Sequence, residues 1–349
     1  MVFVTLFDSG YLDKGLALIQ SLHETCGGAF RLYVVAFDDL CYQILSQYRD
    51  DSLTVISLLD FESPQLLKAK NNRTPREYYW TCSCHSIKYV LETYGETQCT
   101  YIDADMYFYQ NPQVLFDEIQ KSGCDVSIIE HGFVQNKEGQ EYINNSGKYC
   151  VEFNTFFSTE NGMHILNWWC DRCLECCTEQ TDGALFGDQK YLDDWPNRFE
   201  RVHVIKNPGA GVAPWNLAKN RLVSKQGKDI ILMDKKSKLK FPLVFYHYHN
   251  ISYCAVDKVD IHVHRYPHNV SISLRDAVYR EYFQIINKYR DMLRKVYNYD
   301  MDANVYYQKK KSKLRMILGI LLFERPLFTS IKMSGRVLFR KEKDFMCIR

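Results

Sequence analysis

The stretch Thr100-Tyr101-Ile102-Asp103-Ala104-Asp105 joins a short apolar strand to two aspartates spaced two residues apart. With one extended residue between them, both carboxylates point to the same side. Such a pair suits a hard divalent cation, Mg²⁺ or Mn²⁺, which fills its other positions with phosphate oxygens and water. An Asp-x-Asp triplet is also common in a solvated turn, so the surrounding sequence has to decide between the two interpretations.

Strands and helices alternate around this stretch. The apolar run Val2–Phe7 ends at Asp8, helical spacing follows over 13–24, and 31–37 is apolar again. This pattern predicts a Rossmann-like α/β fold, with a mainly parallel sheet flanked by helices and ligands bound beyond the carboxyl ends of strands. Both Asp8 and Asp103 follow such ends. Further strands are predicted at 55–59, 125–129, 153–157 and 243–248, helices at 86–94, 163–177 and 275–297, and loops at 132–147 and 207–214.

Charge divides the 349-residue chain into a body and a tail. Residues 309–349 contain 12 Lys or Arg against 3 Asp or Glu, so the rest is acidic. We therefore expect one domain over 1–300 and a basic, partly apolar helical tail over 301–349. Basic residues beside the apolar run 316–323 are typical of attachment to an anionic membrane surface, and a solvated basic end docked on the body is the alternative. The acidic body argues against nucleic acid as the partner.

The 13 cysteines show no disulfide framework, and the amino terminus lacks the features of a signal peptide. These observations favour a cytoplasmic protein, peripheral at the inner face of the membrane if the tail attaches there. Cys170, Cys173 and Cys177 fall within about 60° of one another at 100° per residue, which indicates a buried helical stripe. A metal or redox site is the alternative for this Cys-x-x-Cys pattern.

Several segments resemble, in order, the GT-A glycosyltransferases, especially the family-8-like group of nucleotide-sugar transferases. Asp8-Ser9-Gly10-Tyr11 resembles the segment that holds the nucleoside of the donor, and Tyr101-Ile102-Asp103-Ala104-Asp105 resembles the metal-binding motif. Phe153-Asn154-Thr155 is similar to the strand that lines the donor sugar. Gly187-Asp188-Gln189 matches the acidic-amide pair near the reacting carbon, and Trp215-Asn216 a later element that contacts donor or acceptor.

The resemblance also implies a third metal ligand, a histidine after a late apolar strand. His247 and His249 share one strand face, so spacing does not separate them, and the family's His-aromatic-x-Gly pattern favours His247. The chain departs from the family at two places. The family's Arg before the metal motif is absent from 81–88, leaving Arg76 or Lys88 as substitutes, and Asn250 stands where the family has Gly.

By resemblance, the chain is a metal-dependent hexosyltransferase of polysaccharide biosynthesis. It would move a sugar from a nucleoside diphosphate, UDP in particular, to a glycan or lipid-linked acceptor with retention of configuration. If it inverts, Asp188 is the first candidate for the general base. A nucleotidyltransferase would need a basic Gly-rich loop after the first strand, where this chain is acidic. A non-catalytic membrane-associated binding protein remains an alternative of another class.

Overall fold

The computed structural model describes residues 1–180, 185–255, 258–266, 270–304 and 345–347. The strands are β1 (Val2–Phe7), β2 (Arg31–Ala36), β3 (Leu53–Ser57), β4 (Gln98–Ile102), β5 (Met106–Phe108), β6 (Val126–Glu130), β7 (Tyr149–Phe157), β8 (Val202–Val204), β9 (Asn220–Gln226), β10 (Asp229–Asp234), β11 (Lys240–Pro242), β12 (Phe245–His247), β13 (Ser252–Ala255), β14 (Lys258–Asp260) and β15 (Phe345–Cys347). The helices are α1 (Leu12–Cys26), α2 (Asp39–Gln47), α3 (Leu58–Phe61), α4 (Pro64–Lys70), α5 (Pro75–Thr93), α6 (Gln113–Ser122), α7 (Lys137–Ser146), α8 (Glu160–Glu175), α9 (Trp195–Arg198), α10 (Ile272–Tyr297) and α11 (Met301–Asn304).

Seven strands form the central sheet in the order β3-β2-β1-β4-β7-β6-β8. Strand β1 pairs in parallel with β2 and β4, and the pairs β2-β3 and β6-β8 are also parallel. Strand β7 runs antiparallel to both of its neighbours. Every residue of β1 is buried, which accounts for its unbroken apolar sequence. The predicted α/β fold with a mainly parallel sheet is confirmed, and β7 is the strand that departs from it.

Two apolar layers cover the two faces of the sheet. Alternate residues of β1 belong to different layers, Phe3 to one and Val4 to the other. The Phe3 layer includes α1 and α10, and the Val4 layer includes α5 and α8. Helices α1 and α10 are also joined by a buried ion pair, with Arg290 Nε 2.7 Å from Asp13 Oδ2. These layers hold the loops at the carboxyl ends of β1 and β4 on a rigid support.

Helix α5 begins eleven residues before the start predicted at position 86. Its first turn is fixed by a capping box, in which the Thr74 hydroxyl accepts from the Glu77 N–H at 3.3 Å and the Glu77 carboxylate accepts from the Thr74 N–H at 2.8 Å. Pro75 occupies the first helical position, where its missing N–H costs nothing. The predicted boundary was wrong because apolar and polar residues are mixed in these early turns, where Thr81 and Ser83 are buried as well.

The region 132–147, predicted as a loop, contains α7. Its start is capped by Asn136, whose side chain accepts from the Gly139 N–H at 2.8 Å. The polar and Gly-rich composition concealed a helix that buries few residues, among them Tyr142. The loop prediction is therefore wrong for the ten residues of α7.

The carboxyl-terminal region is described only in part. Helix α11 and strand β15 fall within the predicted tail, and β15 pairs antiparallel with β14. The basic segment 309–315 and the apolar run 316–323, predicted to meet a membrane surface, lie outside the described residues. Within the described ranges, every helix is too short or too polar to cross a lipid bilayer.

Candidate active site

The loops after β1 and β4 lie at one edge of the sheet, because these strands are adjacent and parallel. Asp8 follows β1 directly, and its Oδ2 accepts a hydrogen bond from the Tyr79 hydroxyl of α5 at 2.5 Å. Asp38, after β2, accepts from both the N–H and the hydroxyl of Ser9, at 2.9 and 2.8 Å. The segment predicted to bind the nucleoside is thereby anchored to two neighbouring elements.

Asp103 and Asp105 lie in a tight turn, so the extended spacing expected from the sequence is wrong. The Met106 N–H donates to the Asp103 carbonyl at 3.2 Å, and the chain leads directly into β5. Strand β5 pairs antiparallel with β12 in a register that sets His247 opposite Met106. His247 Nε2 then lies 3.5 Å from Asp103 Oδ2 and 3.1 Å from Asp105 Oδ1. This pairing brings together residues that lie far apart in sequence.

The three side chains share one electrostatic environment. Burial raises the pKa of Asp103 to about 8, with His247 opposing the shift and Asp105 adding to it. Burial also disfavours the charged form of Asp105, but the charge and hydrogen bond of His247 outweigh it and lower the pKa of Asp105 to about 2. For His247 itself, burial lowers the pKa while Asp105 raises it well above its usual value.

This cluster has the chemistry of a metal site. The ligand atoms of Asp103, Asp105 and His247 all lie within 4.8 Å of one another. Two carboxylates suit Mg²⁺ or Mn²⁺, and an imidazole completes three of the positions that such an ion needs.

Glu152 belongs to this cluster and was not singled out from the sequence. It is fully buried in β7, with Oε2 2.7 Å from His247 Nδ1. Its Oε1 has no hydrogen-bond partner within the described part of the chain. A carboxylate on the far nitrogen fixes the orientation of an imidazole, so Glu152 turns His247 Nε2 toward the two aspartates. The available signal was a carboxylate in the mainly apolar sequence of β7.

Trp215 lies against both candidate histidines, so only their positions relative to the aspartates distinguish them. Its ring meets the rings of His247 and His249 at centroid distances of 5.3 and 5.5 Å. His247 is the one within 3.5 Å of both aspartates. Burial, with the charge of His247 as a further cause, lowers the pKa of His249 to about 4. Asn250 has a φ of 62°, which Asn tolerates better than most residues, so it can stand where the resembled family has Gly.

Asp188 is buried between α5 and α8. Its carboxylate accepts a hydrogen bond from the Ser83 hydroxyl, and its backbone carbonyl accepts from Trp169 Nε1 at 3.0 Å. Burial raises the pKa of Asp188 to about 7, against the stabilising hydrogen bond from Ser83. The neighbouring Gln189 donates its side-chain amide to the Ser146 carbonyl at the end of α7.

The other predicted binding residues differ in how many hydrogen bonds their side chains form within the protein. Asn216 donates to the carbonyls of His131 and Gly211 at 2.8 and 2.6 Å and accepts from Ala213 N–H at 3.0 Å, so its amide holds the backbone of this loop. Trp215 Nε1 donates to the same His131 carbonyl at 2.7 Å. Asn154 is fully buried in β7, opposite Tyr101 of β4.

Lys14 is a buried cation whose electrostatic environment includes Asp105. It was not predicted from the sequence. It lies in the first turn of α1, with Nζ 3.5 Å from the centroid of the Tyr11 ring. Burial lowers the pKa of Lys14, but Tyr11, Asp13 and Asp105 together raise it above its usual value. The ammonium is therefore charged at neutral pH.

The two basic residues offered by the sequence as substitutes for the missing Arg are engaged elsewhere. Arg76, at the start of α5, forms an ion pair with Glu179. Lys88 lies 3.9 Å from Glu92, one turn further along α5. Both pairs are at least partly exposed, and the charge of Arg76 also helps to lower the pKa of His249.

Comparison with known proteins gives relatives over most of the chain, although no family model matches it. LgtC, a galactosyltransferase crystallised with donor and acceptor sugar analogues, is similar over 72% of this chain and 87% of its own, at 12% identity and a TM-score of 0.47. YfnF of Bacillus subtilis (strain 168), an uncharacterized protein, is 28% identical over 262 residues, 74% of this chain and 84% of YfnF. YfnD of the same organism, also uncharacterized, is 30% identical over 249 residues, 70% of this chain and 76% of YfnD. At this identity and coverage, the chain belongs to the family of YfnD.

Proposed function

We propose that this protein is a GT-A glycosyltransferase that moves a sugar from a nucleoside diphosphate, UDP in particular, to a glycan or lipid-linked acceptor. The observation that carries the proposal is the convergence of Asp103, Asp105 and His247 beside the anchored Asp8 segment, at the carboxyl edge of the sheet. A metal site next to a nucleoside site is what a diphosphate leaving group requires.

Asp103, Asp105 and His247 would hold Mn²⁺ or Mg²⁺, with Glu152 fixing the histidine. When bound, the ion would neutralise the charge that develops on the departing diphosphate. Lys14 would add a fixed positive charge near the ion, since its ammonium lies over the Tyr11 ring and its pKa is raised in part by Asp105. It would then take the place of the Arg that the family carries before the metal motif.

The remaining residues would bind and orient the donor. Asp8 and Tyr11 would contact the nucleoside, and Asn154, Asp188 and Gln189 would contact the sugar. Asp188 lies in a buried setting in which its carboxylate is stabilised by Ser83, which suits a group that orients sugar hydroxyls and offsets oxocarbenium charge. Trp215 would form part of the donor or acceptor surface, while Asn216 holds the loop that carries it.

Retention of configuration is the stereochemistry that we propose. The acceptor hydroxyl would attack on the face from which the diphosphate leaves, and the diphosphate oxygens would take its proton. An inverting reaction would instead need Asp188 as a general base within about 3 Å of the acceptor hydroxyl. The configuration of the product anomer distinguishes the two.

Donor binding is tested by thermal unfolding with a panel of nucleotide sugars, each with and without Mn²⁺. A ligand at 100 times its Kd stabilises the folded state by about 2.7 kcal/mol, so we expect one donor to raise the unfolding temperature only when metal is present. Metal-dependent hydrolysis of that donor then distinguishes an enzyme from a pure binding protein. Stabilisation by nucleoside triphosphates alone, with release of diphosphate, would instead favour a nucleotidyltransferase.

Replacing Lys14 with Met is expected to weaken donor binding about 10- to 100-fold. Hydrogen bonds to charged groups contribute about 1.5–3 kcal/mol, and each 1.4 kcal/mol is about tenfold in affinity. Donor titration in the presence of Mn²⁺ measures the effect, and the exposed Lys121→Met serves as the matched control. A loss of affinity in Lys88→Met but not in Lys14→Met would contradict the role given to Lys14.

A further inference from the structure

A second group of metal-ligand side chains lies where α5 packs against α8. The sulfur atoms of Cys84 and Cys170 and a ring nitrogen of His85 all lie within 4.8 Å of one another. Both cysteines are buried. Nε2 of His85 is also buried, and it has no hydrogen-bond partner among the residues that the structure describes. A buried nitrogen without a hydrogen bond is costly, and the same imidazole interacts with the Cys170 thiol.

A third thiol lies next to Cys84, although it is outside the 4.8 Å that the three ligand atoms share. Cys173, one turn after Cys170 on α8, is fully buried, and its thiol interacts with that of Cys84. The sequence alone indicated a core stripe of Cys170, Cys173 and Cys177, and all three are buried, although α8 ends at Glu175. What the stripe could not reveal is that Cys84 and His85 face it from another helix.

The chemistry of this group differs from that of the aspartate cluster. Thiolates and an imidazole select Zn²⁺ and other thiophilic ions, whereas carboxylates select Mg²⁺ or Mn²⁺. Three sulfurs and one nitrogen make a set that closes a tetrahedral zinc site without leaving a position for substrate. A thiol binds such an ion as the thiolate, so binding releases its proton.

We propose that Cys84, His85, Cys170 and Cys173 form a structural site for Zn²⁺ that clamps α5 to α8. Each thiol that binds releases its proton to solvent and donates its sulfur lone pair to the metal, so no oxidant or reductant takes part. The site shares no residue with the cluster of Asp103, Asp105 and His247.

The clamp would also support Asp188, an inference that rests on the proposed function. Ser83, which donates to the Asp188 carboxylate, directly precedes Cys84 on α5. Trp169, which donates to the Asp188 carbonyl, directly precedes Cys170 on α8. A metal that fixes Cys84 against Cys170 therefore fixes both groups that hold Asp188.

The test uses Co²⁺ as the probe, added to the full-length, reduced and chelator-treated protein. We expect one equivalent to produce the near-ultraviolet absorption of a thiolate-to-cobalt bond, and Zn²⁺ to remove that absorption by displacement. Cobalt held by carboxylates gives no such absorption, so the Asp103→Asn variant should show it unchanged. The outcome for this site is thus independent of whether sugar transfer is found.

Cys170→Ser is expected to lose the absorption, and Cys176→Ser, altered at a cysteine outside the group, is expected to keep it. Because a core variant can fail to fold, alkylation of the unsubstituted protein provides a second measurement. Zn²⁺ should protect Cys84, Cys170 and Cys173 from a thiol reagent, while Cys176 reacts. Absence of the thiolate absorption in the unsubstituted protein, or equal alkylation with and without Zn²⁺, would overturn the proposal.

Discussion

Replacement of Asp103 with Asn is expected to reduce metal-dependent donor turnover by at least about 100-fold. The metal contributes several kcal/mol to stabilising the charge of the leaving group, and each 1.4 kcal/mol is about tenfold in rate. Asn keeps the size of the side chain but removes the charge that holds the ion. Hydrolysis of the donor identified by the thermal panel, with and without Mn²⁺, measures the loss.

The same variant is expected to fold normally. In the metal-free protein, burial and the neighbouring Asp105 raise the pKa of Asp103 to about 8, so its ionised form is not a source of stability. Thermal unfolding without metal should therefore match the unsubstituted protein, while the stabilisation by Mn²⁺ disappears. Asp51→Asn, at an exposed position, is the matched control. Full activity, or stabilisation by Mn²⁺ that persists in Asp103→Asn, would refute the metal assignment.

Replacement of Asp188 with Asn is expected to abolish turnover and, at the same time, to stabilise the fold at neutral pH. The pKa of this carboxyl is raised by burial from 3.8 to about 7, so between these values the folded protein binds more protons than the unfolded chain. Stability therefore falls as the pH rises through this window and levels off above about 7. Each pKa unit corresponds to about 1.4 kcal/mol, which gives an upper value of about 4 kcal/mol.

Urea unfolding at pH 5 and pH 8 measures this effect. Asp188→Asn should exceed the unsubstituted protein in unfolding free energy by more at pH 8 than at pH 5, because Asn carries no proton to lose. Asp51→Asn should show the pH dependence of the unsubstituted protein. Equal slopes in Asp188→Asn and the unsubstituted protein would mean that Asp188 does not titrate in this range, and retained turnover would remove it from the site.

The sequence predicted the fold because its strongest signals are local. Strand β1 is mainly apolar because both faces of the sheet are covered, and α1 has helical spacing because one of its faces packs on the sheet. Each pattern lies within one short stretch of sequence, so it can be recognised there. The antiparallel direction of β7 has no such local signature, since its apolar residues would pack equally well in either direction.

The residues of the candidate site also differ in whether a local sequence pattern predicts them. Asp103 and Asp105 were visible because they lie two residues apart, although a turn and not an extended residue brings them together. Glu152 and Lys14 were not visible, because their roles depend on which side chain lies opposite after folding. The group of thiols and an imidazole between α5 and α8 could be predicted only in part. Its α8 members share a helical stripe, whereas Cys84 and His85 come from another helix.

The pairing of β5 with β12 also determines when the aspartate cluster can exist during folding. Asp105 and His247 are separated by more than a third of the chain, and closing so long a loop costs conformational entropy before any contact repays it. A chain that has left the ribosome only as far as β11 therefore has both aspartates and no histidine to meet them. The cluster could therefore bind a divalent ion tightly only late in folding, after β5 has paired with β12. Ion binding would then indicate that this edge of the sheet has formed.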